Sequence, residues 1–243
     1  MKIFQRVRAV FVLGFVPVLT MIVSILALAA LVVFRVSSKT VQIFPRFWGR
    51  CIASLSGVTV TVEGVERLTP DMPYIFAANH QSQFDIFAMQ GFFDHDFRWL
   101  AKKELFRIPI FGPAMRLAGY IPVDRTHGRR AMKSLAEAAR RIAGGTAVVI
   151  FPEGTRSRDG RLQPFKTGGM VLAIRSGVPI VPVAIIGTYE VLPKGRLFVR
   201  SGKVRIRVGE PIETKSYTTK QKQELAHKMH DAVAELLPRE KTT

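Results

Sequence analysis

From residue 57 onward, the chain alternates short apolar runs rich in β-branched residues with clusters of turn residues. Runs of this length and composition, bounded by Gly, Pro, Asn, Asp or Ser, are typical of β-strands. Six segments fit the pattern: 58–62 (VTVTV), 74–78 (YIFAA), 97–101 (FRWLA), 147–151 (AVVIF), 180–186 (IVPVAII) and 204–208 (VRIRV). We therefore predict a sheet built from these strands.

Helical patterns lie between several of the predicted strands. In segment 126–145, Leu135, Ala138 and Ile142 recur at intervals of three or four residues opposite a basic face, and two glycines end the pattern. Segment 218–237 is a second amphipathic helix, followed by a charged tail. Strands that alternate with helices indicate an α/β fold, with a mostly parallel central sheet flanked by helices.

The N-terminal part differs, because 26 uncharged residues separate Arg8 from Arg35. This run exceeds the roughly 20 apolar residues that a helix needs to cross a bilayer. A secretory signal is the competing interpretation, but the run is long for a signal peptide and stays apolar beyond the candidate cleavage site at Ala29. Segment 38–57 mixes apolar, aromatic and basic residues as interfacial helices do, so a helical pair in one leaflet is an alternative to a true span.

We therefore predict two parts, an N-terminal membrane-anchoring helical segment at residues 1–57 and an α/β domain at residues 58–243. Basic residues flank both ends of the apolar run, so the positive-inside rule does not fix its orientation. The single cysteine, Cys51, cannot form an intrachain disulfide, which fits a reducing compartment for the globular part.

The formal net charge is +18 and unevenly distributed, because seven Lys and Arg residues and no Asp or Glu precede Glu63. Strong basicity favours a polyanionic partner, either nucleic acid or an anionic membrane surface. The cationic residues are not interleaved with aromatic residues on a strand face, and no nucleic-acid-binding motif occurs. We therefore expect an anionic membrane surface as partner and no nucleic acid.

Three polar stretches lie at or beside the ends of apolar runs, where an α/β sheet gathers its binding site: 79–85 (NHQSQFD), 119–125 (GYIPVDR) and 151–160 (FPEGTRSRDG). The chain has no G-x-S-x-G elbow, H-E-x-x-H, C-x-x-C, Walker loop or G-x-G-x-x-G. Covalent serine or cysteine chemistry and metal hydrolysis therefore lose support, and no metal is expected. A histidine with a carboxylate and arginines suits proton abstraction from a hydroxyl that attacks an ester or thioester.

His80 and Asp85 are the candidate catalytic pair. An imidazole acts as a base when a carboxylate on its other ring nitrogen fixes the tautomer and the ring orientation. Five residues lie about 140° away from the same face of a regular helix, so the pair requires a loop or a bent first turn between its members. Taken alone, H-x4-D also fits a plain loop histidine, with Asn79 and Asp85 as local caps.

Arg125 and Arg156 are candidate phosphate ligands, because a guanidinium stays charged and binds phosphate through two parallel hydrogen bonds. Gly154 leaves room for close approach of the backbone. Glu153 lies between an apolar strand and Arg156 and needs a partner, either an arginine or a hydroxyl of the substrate. In so basic a chain, a solvated surface charge is the alternative interpretation for each arginine.

The stretches NHQSQFD, GYIPVDR, FPEGTRS and VPIVPVAI, in this order after a basic, apolar N-terminus, resemble the four motifs of the glycerolipid acyltransferases. The resemblance is strongest to the bacterial 1-acyl-sn-glycerol-3-phosphate acyltransferases and covers residues 58–190. FPEGTRS is more similar to enzymes that acylate lysophosphatidate than to those that acylate glycerol 3-phosphate. Four ordered motifs are a specific signal, whereas H-x4-D alone is not.

By this resemblance, His80 is the general base and Asp85 orients it. The resemblance assigns the phosphate of the acceptor to Arg125, Glu153, Gly154, Thr155 and Arg156, with Lys102 and Lys103 from the similar stretch AKKELFRIPIFG. It places the acyl donor beside the strand residues Val178, Pro179, Ile180 and Pro182. It implies no cofactor, with acyl-CoA or acyl-carrier protein as co-substrate.

We therefore hypothesise a membrane-associated acyltransferase in which His80 deprotonates the 2-hydroxyl of lysophosphatidate. That oxygen attacks the thioester of the acyl donor and gives phosphatidate. Because such donors are cytosolic, we expect the catalytic domain to face the cytoplasm at the inner membrane. Another lysolipid acceptor, such as a lyso-ornithine lipid or a lysophospholipid, is the nearest alternative. A thioesterase in which His80 activates water and a membrane-anchored nucleic-acid-binding protein are more distant alternatives.

Overall fold

The computed structural model describes residues 3–124 and 129–238. The helices are α1 (Ile3–Val32), α2 (Ile43–Ser56), α3 (Phe84–Phe92), α4 (Phe111–Leu117), α5 (Arg129–Ala143), α6 (Gly168–Ser176), α7 (Thr188–Val191) and α8 (Lys222–Leu236). The strands are β1 (Val58–Glu63), β2 (Ile75–Ala78), β3 (Arg98–Lys102), β4 (Ile121–Val123), β5 (Val148–Ile150), β6 (Ile180–Ile186) and β7 (Gly202–Val208). Short 3-10 helices occur at Thr40–Gln42, Val65–Arg67, Lys103–Arg107 and Thr219–Gln221.

The strands form one sheet in the order β1-β7-β6-β2-β5-β3-β4. Each neighbouring pair is parallel except β6 and β7, which are antiparallel. The predicted α/β fold with a mostly parallel sheet is therefore confirmed. The six predicted strands correspond to β1, β2, β3, β5, β6 and β7, with ends that differ by at most two residues. β4 is an additional strand, whose three residues are too few to show a period in the sequence.

Successive residues of the central strands face opposite sides of the sheet, as the pleat requires. On β2, Phe76 and Ala78 belong to a hydrophobic cluster shared with α1, α2 and α3. Ile75 and Ala77 belong to a second cluster, formed with α5, α6 and α8. Helices therefore cover both faces of β2, which explains why its sequence is continuously apolar.

α1 is a single helix of 30 residues, with Pro17 inside it. Its segment Gln5–Val32 has a mean hydropathy of 2.7 and, among the described residues, is the one helix long and apolar enough to cross a membrane. One face packs against the protein through Ala9, Val12, Leu19, Val23, Ala27 and Ala30. The other face is apolar and exposed, and it includes Val7, Val10, Phe11, Val18, Ile22 and Leu26. α1 is thus attached along one side and unpartnered along the other.

α2 and α3 touch at two glycines, Gly49 and Gly91. A Cβ atom on Gly49 would lie 2.7 Å from the backbone nitrogen of Gly91 and 2.7 Å from the carbonyl oxygen of Phe87. A Cβ atom on Gly91 would lie 2.8 Å from the backbone nitrogen of Arg50, whose Nε also donates to the Gly91 carbonyl at 2.8 Å. Only residues without a side chain allow backbones this close, so the pair fixes α3 against α2.

A buried polar network joins the N-terminal segment to the sheet. Gln42 Nε2 donates to the Ala118 carbonyl at 3.1 Å, and the Tyr120 hydroxyl lies 3.2 Å from Gln42 Oε1 and 3.3 Å from Gln90 Oε1. Trp99 Nε1 donates to Gln90 Oε1 at 2.7 Å. Burial raises the pKa of Tyr120, so its hydroxyl stays protonated. The boundary predicted at residue 57 falls between α2 and β1, but the segments on its two sides share this network and one hydrophobic cluster.

We expect Gly49→Ala to destabilise the protein by about 1–3 kcal/mol, because its methyl group overlaps the backbone of α3. Gly14→Ala is the matched control, since a Cβ there meets no atom within 4 Å and alanine favours the helix. Thermal unfolding in detergent compares the two variants. An unchanged Tm for Gly49→Ala would contradict the close packing of α2 on α3.

Candidate active site

The carboxyl ends of the neighbouring strands β2 and β5 bring the 79–85 and 151–157 loops together. The backbone N–H of Ser157 donates to the His80 carbonyl at 2.8 Å, and Glu153 Oε1 accepts the His80 backbone N–H at 2.7 Å. The second loop therefore binds both main-chain groups of His80. Two of the three polar stretches identified in the sequence meet at this edge of the sheet.

Asn79 holds the start of the first loop in place. Its side chain is fully buried; Nδ2 donates to the Ile185 carbonyl at 2.9 Å, and Oδ1 accepts the Ile185 backbone N–H at 2.7 Å. The amide thus continues the hydrogen bonding to β6 beyond the last backbone pair, Ala78 and Val183. From the sequence, Asn79 is predicted only as a local cap, because its partner lies 106 residues away.

His80 and Asp85 lie in direct contact, with 2.7 Å between Nδ1 and Oδ2. Asp85 is fully buried, and the same oxygen accepts the backbone N–H groups of Gln81 at 2.8 Å and Ser82 at 2.9 Å. α3 begins only at Phe84, so residues 80–83 form the turn that the five-residue spacing requires. Because an ionised carboxylate only accepts hydrogen bonds, Nδ1 carries the proton and Nε2 is the basic nitrogen.

Two aromatic rings fix the plane of the imidazole. The Phe151 ring stacks on the His80 ring with centroids 3.9 Å apart and an interplanar angle of 11°. The Trp99 ring in turn stacks on the Phe151 ring, with centroids 5.7 Å apart. The Phe151 contact on the ring and the bond to Asp85 together hold the orientation of the imidazole. Phe151 and Trp99 thus position the imidazole, a role that the sequence motifs did not indicate.

Glu153 is a second buried carboxylate next to His80. Its Oε1 binds the His80 backbone, whereas Oε2 is buried and has no hydrogen-bond partner among the described residues. Burial, with a further contribution from the negative charge of Asp85, raises the pKa of Glu153 to about 7. Glu153 forms no ion pair with an arginine in the described parts of the chain, and the partner of Oε1 is the main-chain N–H group of His80. Within residues 3–124 and 129–238, no cluster of three or more His, Cys, Asp or Glu is arranged to hold a metal ion.

The next three residues of this loop reach the surface. Gly154 has a positive φ of 77°, and a Cβ there would lie 2.9 Å from Lys166 Nζ. Lys194 Nζ donates to Thr155 Oγ1 at 3.0 Å and to the Arg156 carbonyl at 2.9 Å. The Arg156 guanidinium has no hydrogen bond or ion pair with the described residues. Lys194, which belongs to none of the motifs, therefore holds the loop through Thr155 and the Arg156 carbonyl. The Arg156 side chain has no partner among the described residues.

The remaining predicted phosphate ligands are placed differently. Lys103 Nζ forms an ion pair with Asp124 Oδ2 at 2.5 Å, and the exposed Lys102 lies 3.9 Å from Glu104 Oε2. Arg125 lies outside the residues that the structure describes. Lys103 already has a carboxylate partner at a position directly before Arg125, at the end of β4.

The four residues predicted for the acyl-donor side are buried. Val178, Pro179, Ile180 and Pro182 all lie inside the protein. Ile180 pairs with Ile75, three residues before Val183 at the site end of β6, which is a distance of about 10 Å along a strand. Val178 and Ile180 pack in the cluster with α5, α6 and α8. These residues build the core beneath the site, and their role on the acyl-donor side stays a prediction.

Comparison with known proteins agrees with this geometry. Residues 59–186 match the family model described as Acyltransferase. The chain is 36% identical over 153 residues to a chloroplastic 1-acyl-sn-glycerol-3-phosphate acyltransferase of Brassica napus. The aligned region covers 62% of this chain and 44% of the relative. It is 32% identical over 240 residues to a 1-acyl-sn-glycerol-3-phosphate acyltransferase of Chlamydomonas reinhardtii, covering 97% and 71%. The chain thus spans less than half of the length of the Brassica napus protein.

A solved structure extends the similarity to the whole fold. The 1-acyl-sn-glycerophosphate (LPA) acyltransferase PlsC from Thermotoga maritima superposes with a TM-score of 0.75 at 28% identity, covering 96% of this chain and 97% of that one. The match includes the N-terminal helices, since it extends over nearly all of both chains. The chain belongs to the acyltransferase family, and its relatives by sequence and by structure are 1-acyl-sn-glycerol-3-phosphate acyltransferases.

Proposed function

We propose that the protein is a membrane-associated 1-acylglycerol-3-phosphate O-acyltransferase. It transfers a fatty acyl group from acyl-CoA or acyl-carrier protein to the 2-hydroxyl of 1-acyl-glycerol 3-phosphate. The observation that carries the proposal is the 2.7 Å contact between His80 Nδ1 and Asp85, beside a loop with an uncommitted Arg156. The names of the plant, human and Thermotoga maritima relatives support this acceptor class.

In the proposed reaction, His80 Nε2 removes the proton of the acceptor hydroxyl as its oxygen attacks the thioester carbonyl carbon. Asp85 stays ionised and stabilises the imidazolium that forms. The tetrahedral intermediate collapses with cleavage of the carbon–sulfur bond, and the imidazolium returns its proton to the departing thiolate. The products are phosphatidate and the free thiol of the donor, and His80 is neutral again.

Arg156 is the proposed main ligand of the acceptor's phosphate, together with Arg125. Because the Arg156 guanidinium has no partner among the described residues, it is available for two parallel hydrogen bonds to phosphate oxygens. Gly154 and Thr155 provide the exposed backbone of the same loop. Lys102 adds positive charge from the end of β3, and Lys103 would bind the phosphate only by leaving Asp124. Glu153 has a different proposed role, since it is buried: it holds the backbone of His80 through Oε1.

The exposed apolar face of α1 is the proposed membrane anchor. The opposite face packs on the protein from Ala9 to Ala30, which is about 30 Å of helix. A helix covered by protein along this length cannot be surrounded by lipid, so we favour α1 lying in one leaflet rather than a true span. The catalytic domain would then face the cytoplasm, where the acyl donors are, with the anchor in the inner membrane.

We expect His80→Ala to lower kcat by roughly 10²- to 10⁴-fold while binding of lysophosphatidate survives, because the imidazole acts on a proton. Asp85→Asn should be nearly as damaging. The amide has no negative charge with which to accept hydrogen bonds from Nδ1 and from the two backbone N–H groups. His227→Ala, at an exposed position on α8, is the matched control. Near-native turnover by a folded His80→Ala variant would exclude the general-base role. Release of free fatty acid from the acyl donor in the absence of lysophosphatidate would instead indicate a thioesterase.

We expect Arg156→Ala to lower kcat/KM for lysophosphatidate by roughly 10- to 100-fold. This factor corresponds to the free energy that a charge-assisted hydrogen bond contributes. Arg156→Lys should recover part of this loss, because an ammonium keeps the charge without the fork. Arg158→Ala removes the same charge from an exposed position two residues away and is the control. The rate on monoacylglycerol should change little. A full preference for lysophosphatidate in Arg156→Ala would place the phosphate elsewhere.

The raised pKa of Glu153 predicts a pH-dependent stability. Between about pH 4.5 and 7 the unfolded chain ionises Glu153 while the folded protein keeps it protonated, so stability falls as pH rises. Glu153→Gln keeps an acceptor for His80 and removes this dependence. The free energy of unfolding of Glu153→Gln, measured relative to that of wild type, should therefore increase by on the order of 1–3 kcal/mol when the pH is raised from 4.5 to 7.5. Denaturant curves at both pH values test this, and a pH-independent difference would contradict it.

A further inference from the structure

The loop that joins α7 to β7, residues 192–201, carries an exposed apolar tip. Leu197 is 67% exposed and Phe198 is 49% exposed. Exposure of adjacent large apolar side chains is unfavourable by about 25 cal/mol per Å² of apolar surface. Patches of this kind mark interaction sites.

Both ends of this loop are held by the fold. Ser82 Oγ donates to the Leu192 carbonyl at 2.7 Å, and the Arg200 backbone N–H donates to the Val191 carbonyl at 2.8 Å. Val199, directly after the tip, is only 4% exposed and belongs to the core. The fold therefore presents Leu197 and Phe198 outward while burying their neighbour.

The surroundings of the tip are strongly cationic. Four Lys or Arg residues lie in or directly after the loop, Lys194, Arg196, Arg200 and Lys203, whereas Arg205 and Arg207 further along β7 pair with Glu63 on β1. Arg196 and Arg200 flank the tip, are exposed, and form no ion pair with the described residues. An apolar tip between two cations fits the boundary between acyl chains and anionic headgroups.

The loop also lies next to α1. Arg8 and Ser201 both lie beside Gly57, where an added Cβ would lie 3.3 Å from Ser201 Cβ and would contact the Arg8 guanidinium. Phe198 is three residues from Ser201, a reach of about 10 Å. The neighbours of Arg8 on α1 include Phe11, which is 54% exposed. The tip and the apolar face of α1 are therefore within reach of one surface.

We propose that Leu197 and Phe198 form a second membrane contact, which inserts into an anionic bilayer surface beside α1. This proposal rests on the membrane association proposed above. The start of the loop carries Lys194, which is bonded to Thr155 and to the carbonyl of Arg156. Insertion of the tip therefore sets the height of the Arg156 loop above the bilayer, at the level of the acceptor's phosphate.

A fluorescent label at the tip tests this contact in the full-length chain. Cys51→Ser removes the single cysteine, and Phe198→Cys in that background takes an environment-sensitive NBD label. With vesicles containing phosphatidylglycerol, we expect a blue shift and quenching by brominated lipid. Gln223→Cys, at an exposed position on α8 behind the opposite face of the sheet, is the matched control and should show neither change.

The outcomes separate the two proposals. If wild type does not float with these vesicles, the membrane association itself fails. If wild type floats while the label at position 198 is unchanged, the second contact is overturned. A shift produced by acyl-carrier protein, or by raising the protein concentration, without any vesicles would also overturn it, because the tip would then bind a protein partner.

An activity comparison adds an independent readout. We expect the double variant Leu197→Ser, Phe198→Ser to lose roughly tenfold in rate on lysophosphatidate embedded in vesicles. Its rate on a monodisperse short-chain acceptor should stay within about twofold of wild type, because the site is intact. Met132→Ser, at a 45% exposed apolar residue on α5, is the control. Equal losses on both acceptors would indicate damage to the site and would contradict the proposal.

Discussion

The buried carboxylate of Asp85 is the interaction on which the candidate site depends. A carboxylate removed from water without partners costs several kcal/mol, so its burial requires hydrogen-bond donors. Oδ2 receives three, from His80 Nδ1 and from the backbones of Gln81 and Ser82. The bonds that make the burial tolerable also close the 80–83 turn and orient the imidazole. The geometry needed for proton transfer is therefore a consequence of folding this turn.

Helix α3 carries this constraint to the rest of the protein. Asp85 lies in its first turn, and Gln90 and Gly91 lie near its end. Gly91 contacts Gly49 of α2, and Gln90 binds Trp99, whose ring stacks on Phe151 next to His80. One short helix thus links the N-terminal segment, the sheet and the imidazole. A lipid surface that positions the N-terminal helices would therefore also position the candidate base.

Properties that depend on local sequence were predictable. The strands follow from β-branched runs between turn residues, and the apolar N-terminal run gives a helix, since both patterns reflect which side chains must leave water. The H-x4-D spacing also predicted correctly that a turn must separate His80 from Asp85, because helical geometry excludes the alternative. The order of the four motifs indicated the family. The roles of Arg125, Glu153 and Arg156 remain predictions that mutants must test.

Properties that depend on distant contacts were decided only by the tertiary structure. The partner of Asn79 is on β6, the Glu153 carboxylate binds the backbone of His80, and Lys194 braces the Arg156 loop. None of these pairs has a sequence pattern, because a hydrogen bond across the sheet depends on strand order and register. The same reason explains why the motif at Val178 to Pro182 indicated these residues but not their burial in the core. Sequence therefore determined the chemical groups and the local elements of this protein, whereas packing decided which groups meet and which remain exposed.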